Sequence, residues 1–398
     1  MQKFFSFLII FILVCVEGKS QFYSKKNIIN AEDAIVGASR LELYLPLLEG
    51  KDIAVVANQT SIFNNTHLID TLISTNVNVK KIFTPEHGFR GTADEGAHIN
   101  NSMDEKTQLP IISLYGKNKK PNSEQLEGID VLLFDLQDVG TRFYTYISTM
   151  TYVMEAAAEN DILVIVLDRP NPNGFYIDGP VLEKENSSFL GLHQVPVVYG
   201  LTIGEYAQMV NGEYWLKDSL QCKLTVIPLG NYNRNNIYEL PVKPSPNLPN
   251  WESVYLYPSL CFFEGTTVSV GRGTESPFQV YGHPTIQSDY SFTPRQVEGK
   301  NKPLHCDTEC FGEKLTQYAV DYKTNKDQLN LTWLINAYEQ LKDNRTFFNN
   351  FFVKLSGTKK LQQQIENGLS EDEIRESWKE DIKKYKKIRA KYLLYKDN

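Results

Sequence analysis

The chain has 398 residues, of which 41% are hydrophobic and 22% charged, and its formal net charge is −7. This composition excludes global disorder, and the length makes two domains the natural expectation. No long basic run offsets the negative charge before the last helical segment, so nucleic acid is not an expected partner.

Residues 1–20 read MQKFFSFLIIFILVCVEGKS. Lys3 supplies a basic start, an apolar run follows to Val16, and Glu17 ends it. The run is short for a bilayer span and fits a secretory signal, with Val16-Glu17-Gly18 as a small-x-small cleavage site. Cys15 raises lipoprotein anchoring as the lesser reading, because Val14 and Leu13 before it are not small. The mature protein is therefore expected to be exported, periplasmic or extracellular. No later apolar stretch is long enough to span a membrane. In an oxidising compartment Cys222, Cys261, Cys306 and Cys310 could pair, and Cys306 and Cys310 could close a small loop. Free buried thiols are the plainer alternative.

From residue 50 onward, short apolar runs alternate with helical segments. Ile53–Ala57 reads as a buried strand ending at Asn58. Thr66–Ser74 reads as a helix with Leu68, Ile69, Leu72 and Ile73 on one face. Strands follow at Lys81–Phe83, Pro110–Leu114 and Val131–Phe134. Tyr146–Asn160 carries Ile147, Met150, Val153, Met154 and Ala157 along one helical stripe. Leu163–Leu167 is the next strand. Continuous β-branched runs imply strands covered on both faces, hence a parallel sheet. The expected fold class is α/β, a Rossmann-like parallel sheet domain with a smaller C-terminal α+β auxiliary domain.

Ligands bind outside the carboxyl ends of such strands. Those ends carry Asn58, Glu86, Tyr115, Asp135 and Asp168, so a polar cleft is expected there. Taken singly, Asn58, Asp135 and Asp168 could equally be turn or cap residues. Ala57-Asn58-Gln59-Thr60-Ser61 contains no glycine, and no phosphate loop is present, so a nucleotide cofactor is not expected. The six histidines are scattered without metal-binding spacing, and no nucleophile elbow of the G-x-S-x-G kind occurs. No cofactor and no metal are therefore assigned. Pro241–Pro249 is proline-dense and reads either as a linker or as a rigid wall of the site. The chain is expected to end in two helices, Lys359–Asn367 and Ser370–Tyr395. Ser370 and Glu373 form a capping box, and Lys383, Lys384, Lys386 and Lys387 lie on a solvated face.

Four motifs carry the chemistry. In Thr84-Pro85-Glu86-His87-Gly88-Phe89-Arg90-Gly91 a glutamate stands at a strand end framed by proline and glycine. Glu86 is either a general acid, with His87 orienting it, or a structural partner of Arg90. Asp135-Leu136-Gln137-Asp138-Val139-Gly140-Thr141-Arg142-Phe143-Tyr144 offers two acids, an arginine able to grip a carboxylate, and an aromatic platform. Asp168-Arg169-Pro170-Asn171-Pro172-Asn173-Gly174 presents the amides of Asn171 and Asn173, suited to sugar hydroxyl and acetamido groups and equally to turns. Glu264, Arg272 and Glu275 form a polar set among the aromatics of Phe262–Phe278.

These motifs resemble those of the NamZ-type exo-β-N-acetylmuramidases. The likeness runs through ANQTS at 57–61, TPEHGFRG at 84–91, FDLQDVGTRFYTYI at 134–147 and DRPNPNG at 168–174. It continues through YGLTIGEYA at 199–207, PSPNLPN at 244–250 and FEGTTVSVGRGTESPF at 263–278. It covers roughly residue 35 to the C-terminus and implies an N-terminal Rossmann-like domain and a smaller C-terminal auxiliary domain, with the site in the cleft between them; with the signal peptide at 1–20 and a boundary near the proline-dense segment, the expected domains are 21–255, catalytic, and 256–398, auxiliary. It implies release of N-acetylmuramic acid from the non-reducing end of peptidoglycan-derived muramyl saccharides, with Glu86 as the catalytic glutamate. Asp135 or Asp138 would then orient the acetamido group or activate water, and Arg142 or Arg272 would meet the lactyl carboxylate. Asn58, Gln59, Tyr144, Asn171, Asn173, Glu264 and Glu275 complete the expected substrate contacts. Tyr144, Phe262, Phe263 and Phe278 are the expected aromatics of the cleft. A non-catalytic glycan-binding protein on the same fold is the alternative reading, and a Rossmann-type glycosyltransferase a weaker one.

Overall fold

The computed structural model describes residues 27–30, 34–86, 88–89, 102–298, 300–343 and 346–397. The expected signal peptide, Cys15, His87 and Arg90 lie outside the described residues.

The central sheet has seven strands: β1 (Asp52–Ala57), β2 (Asn78–Thr84), β3 (Ser102–Met103), β4 (Pro110–Ser113), β5 (Val131–Asp135), β6 (Leu163–Leu167) and β7 (Lys223–Ile227). Their spatial order is β7-β6-β5-β1-β2-β4-β3, and every pairing is parallel except that of the edge strand β3 with β4. Leaving β3 aside, the strands run in the doubly wound Rossmann order, with the chain reversing direction between β1 and β5.

Alternation along each strand divides the core in two. Ile53, Val55, Ala57, Leu133, Ile165 and Leu167 face one side, where they meet Tyr44 and Leu48 of α1 (Leu41–Leu48) and Leu68, Ile69 and Leu72 of α2 (Leu68–Ser74). Ala54, Val56, Leu132, Phe134, Val164 and Val166 face the other side. There they meet α3 (Tyr146–Glu159) and α4 (Ile203–Gly212). Side chains two apart share a face, so a strand covered on both faces must be apolar throughout.

The C-terminal part packs on the α3 and α4 side and joins the same apolar cluster. Phe262, Phe263, Phe278, Tyr281, Phe348 and Phe352 are buried there together with Phe143 and Tyr146. It contains α5 (Trp251–Leu260) and a small antiparallel sheet of β8 (Val280–His283), β9 (Tyr290–Phe292) and β10 (Cys310–Lys314), with β10 in the middle. It also contains α6 (Thr332–Leu341), α7 (Phe351–Ser356), α8 (Lys360–Glu366), α9 (Glu371–Glu376) and α10 (Lys379–Arg389).

Two expectations change. The expected helix from Ser370 is two helices. Ser370 does cap the first through its box with Glu373, but the chain breaks at Ser377-Trp378. The break lets the Trp378 indole donate to Asp178 Oδ1 at 3.0 Å while Arg375 of α9 pairs with the same carboxylate. The four cysteines Cys222, Cys261, Cys306 and Cys310 are free, so the Cys306–Cys310 loop is not closed. Among the described residues no helix is long and apolar enough to cross a membrane.

Arg142 binds the two parts together. Its side chain is fully buried. Nη1 donates to the carbonyls of Pro180 and Val195, each at 2.8 Å, and Nη2 to those of Leu355 at 2.9 Å and Ser356 at 2.8 Å. Leu355 and Ser356 end α7, so the guanidinium occupies the negative end of that helix. Burial pushes its pKa down to about 9, which leaves it charged at neutral pH. A lysine cannot reach four carbonyls held in this fork geometry. Arg142→Lys and Arg142→Met should each lower unfolding stability by at least about 3 kcal/mol, read from urea denaturation. Wild-type midpoints in either variant would show that the four contacts contribute little.

Candidate active site

The site lies at the carboxyl edge of the sheet, on the β2 and β4 side of the reversal. The crevice between β1 and β5 is filled by the chain itself. Asn58 Oδ1 accepts from the backbone N–H of Thr60 at 2.9 Å and from its hydroxyl at 2.6 Å. Ser61 Oγ donates to the Asp135 carbonyl at 2.5 Å, and the Gln137 N–H donates to Thr60 Oγ1 at 3.1 Å.

Beside it opens a cleft of about 510 Å³. Glu86 and Tyr115 line it from the ends of β2 and β4. Tyr144, Thr145 and Tyr146 line it from the start of α3. Phe189 contributes from a loop, and Ser245, Asn247 and Leu248 from the proline-dense segment, which is thus a wall of the site. Arg272, Phe278, Phe351 and Lys354 complete the far side.

Glu86 is half-buried, and Thr145 Oγ1 lies 3.4 Å from its Oε2. Behind it the phenols are fixed. Tyr144 donates to the Pro244 carbonyl at 2.7 Å, which ties the wall to α3. Its only proton is thereby used, so its hydrogen bond with Tyr146 is accepted from the Tyr146 hydroxyl. Asn58 Nδ2 donates to that same Tyr146 oxygen at 2.7 Å. Burial, with the charges of Asp138 and Glu86 adding to it, pushes both phenols up, and they remain protonated.

Several expected contacts do not reach the cleft. Arg142 spends its guanidinium on four carbonyls and cannot meet a substrate carboxylate. Asp135 is fully buried and held bidentately by Arg169, Nε at 2.6 Å and Nη2 at 2.8 Å. Asn171 donates to the Leu201 carbonyl at 2.7 Å and accepts from the Asn173 N–H at 2.8 Å. Asn173 donates to the carbonyls of Val139 at 2.9 Å and Val254 at 3.0 Å. Asn171 packs so close to Gly140 that a Cβ there would stand 2.1 Å from its Oδ1, and Gly140 has φ +79°. Gln59 reaches the Lys243 carbonyl at 3.3 Å. Glu275 is exposed and outside the lining, and Glu264 is paired to Arg272, with Nε at 2.7 Å. Phe262 and Phe263 are core, whereas Tyr144 and Phe278 do line the cleft. Of the expected residues, the cleft gathers Glu86, Tyr115, Tyr144, Arg272 and Phe278. Lys119, Phe189, Tyr257, Phe351 and Lys354 were not anticipated. Only Lys119 had a sequence signal, since it lies in the loop after the strand that ends at Ser113.

A model described as exo-beta-N-acetylmuramidase NamZ, N-terminal, matches residues 53–252, and one described as the C-terminal counterpart matches residues 255–395. The chain belongs to the NamZ family. It is similar to the peptidoglycan beta-N-acetylmuramidase NamZ of Bacillus subtilis, with 37% identity over 95% of this chain and 94% of that protein. Two solved DUF1343 family proteins from Bacteroides fragilis share the fold. One is 45% identical with a TM-score of 0.84, and the other 29% identical with a TM-score of 0.79; each match covers 92% of this chain and 99% of the other. Among the described residues of this NamZ-family chain, no group of His, Cys, Asp and Glu side chains is placed to hold a metal ion.

Asp138 sits behind the NamZ-family cleft and does not line it. Its Oδ2 accepts from the Tyr199 hydroxyl and from the Gly140 N–H, the latter at 2.7 Å. Burial pushes its pKa up from 3.8 to about 6, against the lowering effect of those bonds. Between these two values the native state holds a proton that the unfolded chain has released. Its contribution to stability is therefore full at low pH and is lost as pH rises through about 6. In Asp138→Asn, which keeps an acceptor for Tyr199, stability relative to wild type should increase from pH about 4.5 to pH about 7. A pH-independent difference in chemical denaturation would show that Asp138 does not titrate this way.

Proposed function

We propose that this chain is an exo-β-N-acetylmuramidase that removes N-acetylmuramic acid from the non-reducing end of peptidoglycan fragments, with Glu86 as general acid. The carrying observation is that Glu86 is the one carboxylate among the described residues lining the cleft. Membership of the NamZ family supports the substrate class. The cleft is read as lying between the sheet domain, to residue 255, and the auxiliary domain that follows. Export by the N-terminal signal would bring the enzyme to its polymer.

Hydrolysis of a glycoside needs a proton on the leaving oxygen and a partner on the other face of the sugar. Glu86 stands at a strand end, half-buried, and gives the proton. The carboxylate left behind is met by the Thr145 hydroxyl and the N-terminal end of α3. Neither Asp135 nor Asp138, nor any other carboxylate among the described residues besides Glu86, reaches the lining, and we assign the second role to the substrate's own 2-acetamido group. It would attack the anomeric carbon to form an oxazolinium ring, which water then opens. Tyr144 and Tyr146, kept protonated, set the floor against which the sugar is oriented.

Glu86→Gln should lower kcat on a muramyl disaccharide by about 10²–10⁴-fold, with a smaller loss on an aryl N-acetylmuramide whose leaving group needs less protonation. Near-normal kcat on the disaccharide would remove Glu86 from the mechanism.

A further inference from the structure

The charge of the cleft is opposite to that of the chain. A protein of net charge −7 lines this cavity, among its described residues, with one carboxylate and three cations: Glu86 against Lys119, Arg272 and Lys354. Such local reversal favours an anionic ligand.

The three cations are not equivalent. Arg272 is already matched by Glu264, its Nε at 2.7 Å and its Nη2 on the same oxygen. Lys354 is exposed on α7. Lys119 is half-buried, and its ammonium is held over the Phe189 ring, 4.5 Å from the centroid. Phe189 is in turn stacked on Tyr152, with centroids 5.9 Å apart and planes 19° apart. The next residue, Lys120, shows the contrast. It pairs with Glu155 at 3.2 Å and Glu159 at 2.7 Å on α3, whereas no carboxylate among the described residues pairs with Lys119. A ring face fixes the direction of an ammonium while leaving its N–H donors for another partner. The position also fits. Ser113 pairs with Thr84, so the loop carrying Lys119 is the direct neighbour of the one carrying Glu86.

We propose that Lys119, steadied by Phe189, binds the carboxylate of the acidic sugar and makes the site selective for a lactyl-bearing ring over a neutral N-acetylhexosamine. This rests on the substrate reading above and adds the residue that enforces it. A charge-assisted hydrogen bond of this kind corresponds to about 10- to 100-fold in selectivity.

The test compares wild type, Lys119→Met, Lys119→Arg and Lys354→Met. The substrates are an aryl N-acetylmuramide, its lactyl methyl ester and the aryl N-acetylglucosaminide. Binding of free N-acetylmuramic acid and N-acetylglucosamine is followed in parallel by calorimetry. In Lys119→Met the preference for the acid over its ester should collapse by about 10- to 100-fold, mainly through KM, and Lys119→Arg should restore most of it. The binding preference should fall in step. Overturning results are an undiminished preference in Lys119→Met, an equal loss on acid and ester, or a collapse in Lys354→Met instead. Wild type that binds the acid through Lys119 without turning over any muramide would sink the proposed hydrolysis and leave the role of Lys119 standing.

Discussion

The buried Arg142 guanidinium is the constraint on which the rest of the architecture depends. Among the described residues no carboxylate pairs with it, and its two terminal nitrogens donate to carbonyl oxygens, two from the loops around Pro180 and Val195 and two from the end of α7. Its energetic cost is the removal of a full charge from water, and the four carbonyl dipoles offset it. Such an arrangement can form only when the sheet and the C-terminal part are already in place. It therefore links cleft formation to folding: α7 carries Phe351 and Lys354 into the lining, and Tyr144 stands two residues beyond Arg142.

The same logic runs through the site. A Rossmann sheet normally offers its switch point to a ligand. Here Asn58, Thr60 and Ser61 make their own hydrogen bonds across that point, and the cleft that holds Glu86 opens one strand over, at the ends of β2 and β4. The residues that lose contact with a ligand in this way become the rigid support of those that keep it. Asn58 fixes Tyr146, Tyr146 donates to Tyr144, and Tyr144 holds the wall at Pro244. Asp135 and Arg169 answer each other, so that neither charge is left unpaired under the cleft.

Much of the fold was legible. The strands at 53–57, 131–134 and 163–167 were marked by apolar runs, since burial on both faces admits nothing else, and the stripe from Tyr146 was marked by helical periodicity. Glu86 was singled out as a carboxyl framed by proline and glycine at a strand end, and it does line the cleft. Arg142, Asn171 and Asn173 misled for one reason. An arginine or amide that binds carbonyls has the same local sequence as one that binds a sugar, and the difference lies in groups as much as 214 residues away. The helix break at Ser377-Trp378 was hidden for the same reason, because Asp178 makes it worthwhile.

The sequence by itself determined the fold class, the family and the strand end that bears Glu86. These depend on periodicity, short-range turn chemistry and contiguous motifs, all written within a few residues of one another. Only the tertiary structure decided which polar groups face the cleft and which support it. A side chain's role is set by whichever donor or acceptor reaches it first, and most of those partners come from distant segments. That is why Lys119, which no motif singled out, stands over Phe189 in the cleft, while Arg142, in the middle of a motif, lies in the core.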